Sequence, residues 1–298
     1  VRPLPSPGGQ GEEGVTHRMK VKEIMTENPI TAELPGTRSE VLKQLVKNNI
    51  TGMPVVKSSD GTLAGFVTRH DIFTKPEEEQ LALVMRRDYP TININASVKD
   101  AARIMVDQGL SHLPVVEKGK LAGIITPTDL LIVVEKANPQ ISVEEIVRSP
   151  CIPIYHNAPL SVALATFRAA KVVALPVLDD EAKLVGIVTD RDIFNQTIVD
   201  RTVAMSDLGI SDEDDNWTWE GLRNVMKLWY EVSKVDLPKL TVKEIMVRNP
   251  MTVFRKTLVG DAARTMRKHD FGQLPVRDSK DNLVAMIYDI DVVSTLTK

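Results

Sequence analysis

The stretch GFVTRHD, residues 65–71, returns three more times along the chain. The other copies are GIITPTD at 123–129, GIVTDRD at 186–192 and a divergent AMIYDID at 285–291. An apolar-Pro-Val segment precedes each copy, with prolines at Pro54, Pro114, Pro176 and Pro275. A phrase repeated four times in 298 residues indicates four copies of one small structural unit.

Within each unit, the apolar pattern predicts the order β-α-β-β-α, which is an α+β fold class. A short helical turn stops near Asn-Pro or Ser-Pro and an extended piece follows. SVKDAARIMVDQGL, residues 97–110, has helical spacing and a C-cap at Gly109. The apolar-Pro-Val segment and the repeated phrase predict two strands joined by a tight turn, after which the Asp begins a second helix.

This pattern resembles the CBS domain, named for cystathionine β-synthase, from Met19 to Lys298 apart from one insert. The resemblance implies that repeats pair into two Bateman modules, 19–136 and 141–298, which could stack as a disc. The predicted organisation is a flexible tail at 1–18, repeats at 19–76, 80–136, 141–194 and 239–298, and a Trp-rich helical insert at 195–238.

Composition and motifs narrow the functional class. A net charge of −3 without a concentrated basic stretch argues against nucleic-acid binding. No apolar run reaches the roughly 18 residues of a membrane span, and the lone Cys151 cannot form an intrachain disulfide, so we expect a cytoplasmic protein. The five histidines lack metal-ligand spacing, and no phosphate-binding loop or nucleophile motif is present. We therefore predict neither a catalytic nor a metal site and no required cofactor.

The Thr-x-x-Asp core of the phrase has a structural and a functional interpretation. Structurally it is a capping box, in which the Thr and the acid satisfy free N–H groups at a helix start. The resemblance adds a nucleotide, whose ribose hydroxyls donate to the Asp and whose phosphates approach the helix N-terminus. The candidate contacts are Thr68, Arg69, His70 and Asp71; Thr126, Thr128 and Asp129; Thr189, Arg191 and Asp192; and Asp291.

The resemblance also implies that the partner repeat supplies an apolar slot for the base. Asp71 would share a cleft with Thr91, Leu110 and Ser111, Asp129 with Ile30, Ile50 and Thr51, Asp192 with Thr252, Phe271 and Gly272, and Asp291 with Ile152, Val172 and Val173. His112 is a further candidate phosphate contact. Each of the apolar residues could equally be ordinary strand core.

The four copies differ between Thr and Asp, so the clefts are not expected to be equivalent. Arg69 with His70 and Arg191 suit phosphate oxygens, whereas the second copy has Pro127 and Thr128 there. Tyr288 replaces the Thr in the fourth copy and would crowd the phosphate approach.

These features predict a non-catalytic regulatory protein that binds AMP, ADP or ATP between paired repeats and transmits energy status by a conformational change. S-adenosylmethionine or methylthioadenosine is an alternative ligand. A second alternative is a ligand-independent scaffold, in which the insert at 195–238, with Trp217, Trp219 and Trp229, binds a partner protein or a second copy of the chain. The apolar helical face of this insert could instead pack on the chain's own second module.

Overall fold

The computed structural model describes residues 19–75, 78–193 and 239–297. The predicted tail at 1–18 and the predicted insert at 195–238 lie outside the described residues, so the interpretations that concern them remain predictions.

The first two repeats follow the predicted order β-α-β-β-α, each with a short helical turn in front. The elements of the first repeat are a 3₁₀ turn at Val21–Glu23, β1 Thr26–Glu27, β2 Ala32–Leu34, α1 Arg38–Lys47, β3 Gly52–Lys57, β4 Leu63–Thr68 and α2 Arg69–Thr74. Those of the second are α3 Leu81–Val84, β5 Ile92–Asn93, α4 Val98–Gln108, β6 Leu113–Glu117, β7 Lys120–Ile125 and α5 Pro127–Ala137.

The third and fourth repeats have the same order. The elements of the third are α6 Val143–Ile146, β8 Ile154–Tyr155, α7 Leu160–Ala170, β9 Ala174–Leu178 and β10 Leu184–Thr189, after which residues 190–193 are helical. Those of the fourth are α8 Val242–Ile245, β11 Val247–Arg248, β12 Val253–Phe254, α9 Val259–His269, β13 Gln273–Arg277, β14 Leu283–Tyr288, α10 Asp289–Val293 and a 3₁₀ turn at Ser294–Thr297.

The paired repeats exchange their opening segments. Strand β1 of the first repeat pairs with β7 of the second, and β11 of the fourth pairs with β10 of the third. In the reverse direction, Arg86 pairs with Phe66 of the first repeat, and the Val143 amide donates to the Thr257 carbonyl of the fourth. The repeats therefore pair as first with second and third with fourth, each helping to complete its partner's core.

This exchange explains the glycine that opens the repeated phrase. A Cβ on Gly65 would overlap the carbonyl oxygen of Arg86, and one on Gly123 would lie 2.8 Å from the carbonyl oxygen of Thr26. Both carbonyls belong to the incoming segment of the partner repeat. The fourth copy has Ala285 instead, and within the described residues its sheet contains only β12, β13 and β14. The glycine thus marks a strand crossing rather than a ligand.

The two modules join through helices of the second and fourth repeats. Helix α5 packs against α9 and α10, and one continuous apolar core contains residues from both repeats, including Leu131, Val134, Ala263 and Val293. Across this boundary, Glu135 of α5 pairs with Arg264 and Arg267 of α9. No helix among the described residues has the length and hydropathy needed to cross a bilayer.

Candidate functional site

The four Asp side chains of the repeated phrase all cap a helix. The backbone N–H of the residue three positions earlier donates to the carboxylate at 2.9 Å for Asp71, 2.7 Å for Asp129, 2.8 Å for Asp192 and 3.0 Å for Asp291. In the first three copies the Thr hydroxyl donates to the same oxygen, Oδ2. Oδ2 of each carboxylate is thus used to cap the helix, and Oδ1 is the oxygen that a ligand would contact.

A cavity of about 330 Å³ lies beside Asp129. Its walls come from the incoming segment of the first repeat, from α5 and from α9 of the other module. The lining residues are Met19, Glu23, Ile24, Thr128, Asp129, Ile132, Lys136 and Arg267. The wall therefore combines apolar side chains with two carboxylates and two cations.

The Asp129 carboxylate is half-buried at this cavity. Burial raises the pKa of its carboxyl, while the hydrogen bonds from Thr126 lower it. Among the described residues no hydrogen-bond donor to Asp129 Oδ1 is found. This oxygen is therefore able to accept hydrogen bonds from a ligand.

The Asp71 cleft is filled by a neighbouring cation. The Nε of Arg86, on the incoming segment of the second repeat, donates to Asp71 Oδ1 at 2.7 Å. The Arg86 guanidinium lies 5.7 Å from the centre of the Tyr89 ring, which stacks on Phe66 at 4.5 Å. The side chain of His70 is not among the described ones.

Arg69 and His112, the other polar candidates of this region, are largely withdrawn from solvent. Arg69 is only 8% exposed; burial lowers the pKa of its guanidinium and the charge of Asp190 in the third repeat raises it. Burial lowers the pKa of His112 to about 4, and its Nε2 lies 3.2 Å from the Thr51 hydroxyl. In the ligand-free protein, His112 is therefore neutral at pH 7 and carries no positive charge.

In the Asp192 cleft, the carboxylate caps its helix, and no residue of another repeat in the described part of the chain is found to donate a hydrogen bond to it. Thr189 holds Oδ2, and among the described residues no donor to Oδ1 is found. Arg191 is exposed. Strand β11 lies over Gly186, where a Cβ would meet the Met246 side chain, so the incoming segment follows the same path as over Gly123.

The Asp291 cleft is closed by tyrosine. Tyr288 is 9% exposed, and its hydroxyl donates to the Ala174 carbonyl of the third repeat at 3.4 Å. Ser149 donates to Asp291 Oδ1 at 3.4 Å, and burial raises the pKa of the Asp291 carboxyl. The neighbouring Asp289 has its pKa raised to about 7, mainly by burial. Both ionised forms would repel a phosphate.

Several predicted base-slot residues lie at the edges of apolar cores. Ile50 packs against the core of the first repeat, Leu110 against the core that joins the modules, and Ile152 and Val172 against that of the third repeat. The remaining residues of this group are half-buried or exposed at the surface: Ile30, Thr51, Thr91, Ser111, Val173, Thr252, Phe271 and Gly272. None of these residues lines the cavity beside Asp129.

Sequence reasoning did not identify Lys136, Arg267, Glu23 or Arg86. Lys136 lies two helical turns after Asp129, so helical spacing alone places it on the same side of α5. Arg267 and Arg86 reach their positions only through module packing and segment exchange, which no local pattern reveals. Within the described part of the chain, no group of three or more His, Cys, Asp or Glu side chains is arranged to hold a metal ion.

Known proteins show the same architecture. The protein MJ1225 of Methanocaldococcus jannaschii is 28% identical over 192 residues, which cover 58% of this chain and 68% of that protein. Its crystal structure superposes with a TM-score of 0.71 at 20% identity, covering 93% of this chain and 99% of the other. A conserved Pyrococcus horikoshii protein of uncharacterised function gives a TM-score of 0.64 at 26% identity, covering 93% and 100%.

The protein MJ0188 of M. jannaschii is 36% identical over 135 residues, which cover 44% of this chain and half of that protein. The CBS domain model matches residues 21–78, 80–136, 143–197 and 242–298. The predicted α+β fold of four tandem repeats is confirmed, and the chain belongs to the CBS domain family.

Proposed function

We propose that this protein is a ligand-responsive regulator that binds adenine nucleotides beside its Thr-x-x-Asp motifs. The observation that carries the proposal is the cavity of about 330 Å³ at Asp129. Its volume lies in the range of small-molecule sites, which combine apolar walls with a few polar groups that fix the ligand's orientation.

The lining of this cavity matches the three parts of a nucleotide. Asp129 Oδ1 is available to accept hydrogen bonds from ribose hydroxyls. Met19, Ile24 and Ile132 offer apolar surface to the base. The ammonium of Lys136 suits phosphate oxygens, because charge-assisted hydrogen bonds are stronger than neutral ones. Arg267 adds a second cation to the wall, although its guanidinium also pairs with Glu135.

The position of the cavity also supports a conformational output. Its walls belong to the incoming segment of the first repeat, to α5 and, through Arg267, to the other module. A ligand that contacts all three stabilises the packing of the modules in which they lie closest. Ligand binding would then shift the population of module arrangements, which a partner protein could detect.

S-adenosylmethionine is a second candidate ligand because carboxylates share the cavity with the cations. Glu23 also lines the cavity, and its Oε1 accepts from the Lys20 amide at 2.8 Å. A sulfonium or ammonium group would be attracted to this carboxylate, whereas a phosphate would be repelled.

Calorimetric titration of the full chain with AMP, ATP and S-adenosylmethionine tests the proposal. For a phosphate ligand, Lys136→Gln should weaken binding, and more for ATP than for AMP, because ATP carries more negative charge. Lys268→Gln is the matched control, since Lys268 is an exposed cation next to Arg267 that does not line the cavity. A proposal based on this cavity is wrong if Lys136→Gln and Lys268→Gln bind all three ligands as the parent does, or if none of the ligands binds.

A further inference from the structure

The Asp71 cleft already contains an intramolecular ligand. Arg86 Nε lies 2.7 Å from Asp71 Oδ1, the carboxylate oxygen that does not cap the helix. The Arg86 side chain is 46% exposed, whereas that of Asp71 is 10% exposed. A cation that reaches in from the surface therefore occupies the acceptor that a ribose hydroxyl would need.

Backbone contacts hold Arg86 in this place. Its amide donates to the Phe66 carbonyl at 2.9 Å, and the Phe66 amide donates to the Arg86 carbonyl at 3.0 Å. The Tyr89 ring beneath the guanidinium is itself fixed, because its hydroxyl donates to the His112 carbonyl at 3.1 Å. The guanidinium thus needs little additional ordering to reach Asp71, which favours the ion pair.

The equivalent positions that face Asp129 and Asp192 carry no cation. Phe66, Ile124 and Ile187 are the same position of the repeated phrase, and their partners on the incoming segments are Arg86, Thr26 and Val247. Thr26 and Val247 cannot form an ion pair with Asp129 or Asp192. Among the four clefts, a cation from the partner's opening segment lies near Asp71 and, as Arg148, near Asp291. The contact is therefore not a general consequence of the fold, because the Asp129 and Asp192 clefts lack it.

We propose that Arg86 is an internal competitor that keeps the Asp71 cleft closed to nucleotide until the Asp129 and Asp192 clefts are filled. This inference rests on the proposed function, because it concerns the order in which the same clefts take the ligand. A ligand at Asp71 has to displace the guanidinium before its ribose can reach Oδ1. The first repeat then responds only at high ligand concentration, which gives the protein a second, weaker response range.

The test isolates the Asp71 cleft in a chain that carries Asp129→Asn and Asp192→Asn. In this background, Arg86→Gln should lower the dissociation constant for AMP about fivefold, because the guanidinium no longer competes with the ribose for Asp71 Oδ1. Arg87→Gln is the matched control: Arg87 is the adjacent cation, and it donates to the Ala82 carbonyl instead. Its dissociation constant should equal that of the background.

Equal or weaker AMP binding by Arg86→Gln would overturn the competitor role, and weaker binding would show that Arg86 holds the ligand. If Arg86→Gln melts well below the background chain, Arg86→Lys replaces it. Because Lys keeps the charge but lacks the Nε donor, we expect a smaller gain in AMP affinity. An unchanged dissociation constant for AMP in this variant would overturn the proposal. Failure of the unmodified protein to bind AMP refutes the proposed function itself, whereas binding there without a gain in Arg86→Gln refutes only the competitor.

Discussion

The second and fourth repeats differ at the first and fourth positions of the repeated phrase, which are Gly123 and Thr126 in the second and Ala285 and Tyr288 in the fourth. In the second repeat, strand β1 crosses over Gly123, Thr126 caps α5 and a cavity lies beside Asp129. In the fourth, Ala285 lies where no incoming strand pairs among the described residues, and the side chain of Tyr288 fills the space between the sheets. In both repeats the Asp still caps its helix through a backbone N–H. The fold therefore tolerates replacement of the Gly and the Thr of the repeated phrase as long as the Asp is kept.

The comparison separates what the phrase does for folding from what it does for binding. The acid caps the helix in all four copies, including the one whose cleft is filled. The glycine serves the strand exchange, because it is present in the three copies whose strand pairs with an incoming segment. It is absent from the fourth copy, where no such pairing is found among the described residues. Only the space around Oδ1 and the cations near it distinguish one cleft from another.

The largest effect is expected at the strand crossing. Gly123→Val should lower the free energy of unfolding by about 3 kcal/mol, because its Cβ would lie 2.8 Å from both the Thr26 carbonyl oxygen and Met25 Sδ. Ala285→Gly should cost only about 0.5–1 kcal/mol, the general cost of added chain flexibility. Urea denaturation of both variants measures the difference, and equal losses would show that the crossing does not require glycine.

The next effect concerns the two carboxylates. Asp129→Asn should raise the dissociation constant for AMP in calorimetry by about 10-fold to 100-fold, because a charged acceptor for ribose hydroxyls is lost. The Asn oxygen still accepts from the Thr126 amide, so the fold should persist. Asp291→Asn should leave AMP binding unchanged, since Tyr288 and Ser149 occupy its surroundings. A loss of affinity in Asp291→Asn would mean that the fourth cleft binds the nucleotide.

A smaller effect on stability depends on pH and concerns Asp289. This residue is the fifth of its copy of the repeated phrase, where the second copy has the neutral Pro127. The pKa of Asp289 is raised to about 7, mainly by burial, and Asp291 raises it further. A carboxyl with a raised pKa stabilises the fold at low pH, and this contribution is lost as pH rises from about 4 through 7. Asp289→Asn should therefore melt like the parent near pH 4 and a few degrees higher at pH 8. A constant difference in melting temperature across this range would contradict the assignment.

The smallest effect is expected from the tyrosine hydroxyl. Tyr288→Phe removes the 3.4 Å hydrogen bond to the Ala174 carbonyl and should lower the free energy of unfolding by about 0.5–1 kcal/mol. AMP binding should not change, because the ring still fills the cleft. New binding by this variant would show that the hydroxyl, and not the ring, closes the cleft.

The elements within each repeat could be predicted from the sequence because their signals are local. The helix at 98–108 ends at Gly109 with φ of 60° as its spacing predicts, and Asp129 and Asp192 cap their helices as the Thr-x-x-Asp pattern predicts. The crowding expected from Tyr288 has a physical counterpart in its contact with Ala174. Each of these features depends on residues a few positions apart, or on side-chain size alone.

The character of the individual clefts could not be predicted because it depends on contacts between repeats. The sequence favours the first and third copies for phosphate binding because of Arg69 with His70 and Arg191, but the Arg69 side chain is buried near Asp190 of the third repeat. Asp71→Ala should weaken binding less than Asp192→Ala, because Arg86 already occupies Asp71 Oδ1. The cations near Asp129 come from a later turn of α5 and from the other module.

A crystal structure of the full chain with AMP at saturating concentration tests the central claim, that the clefts are not equivalent, most directly. The account predicts AMP beside Asp129 with its ribose on Oδ1 and its phosphate towards Lys136, and no nucleotide beside Asp291. Nucleotide density beside Asp291, or equal occupancy of all four clefts, would contradict it.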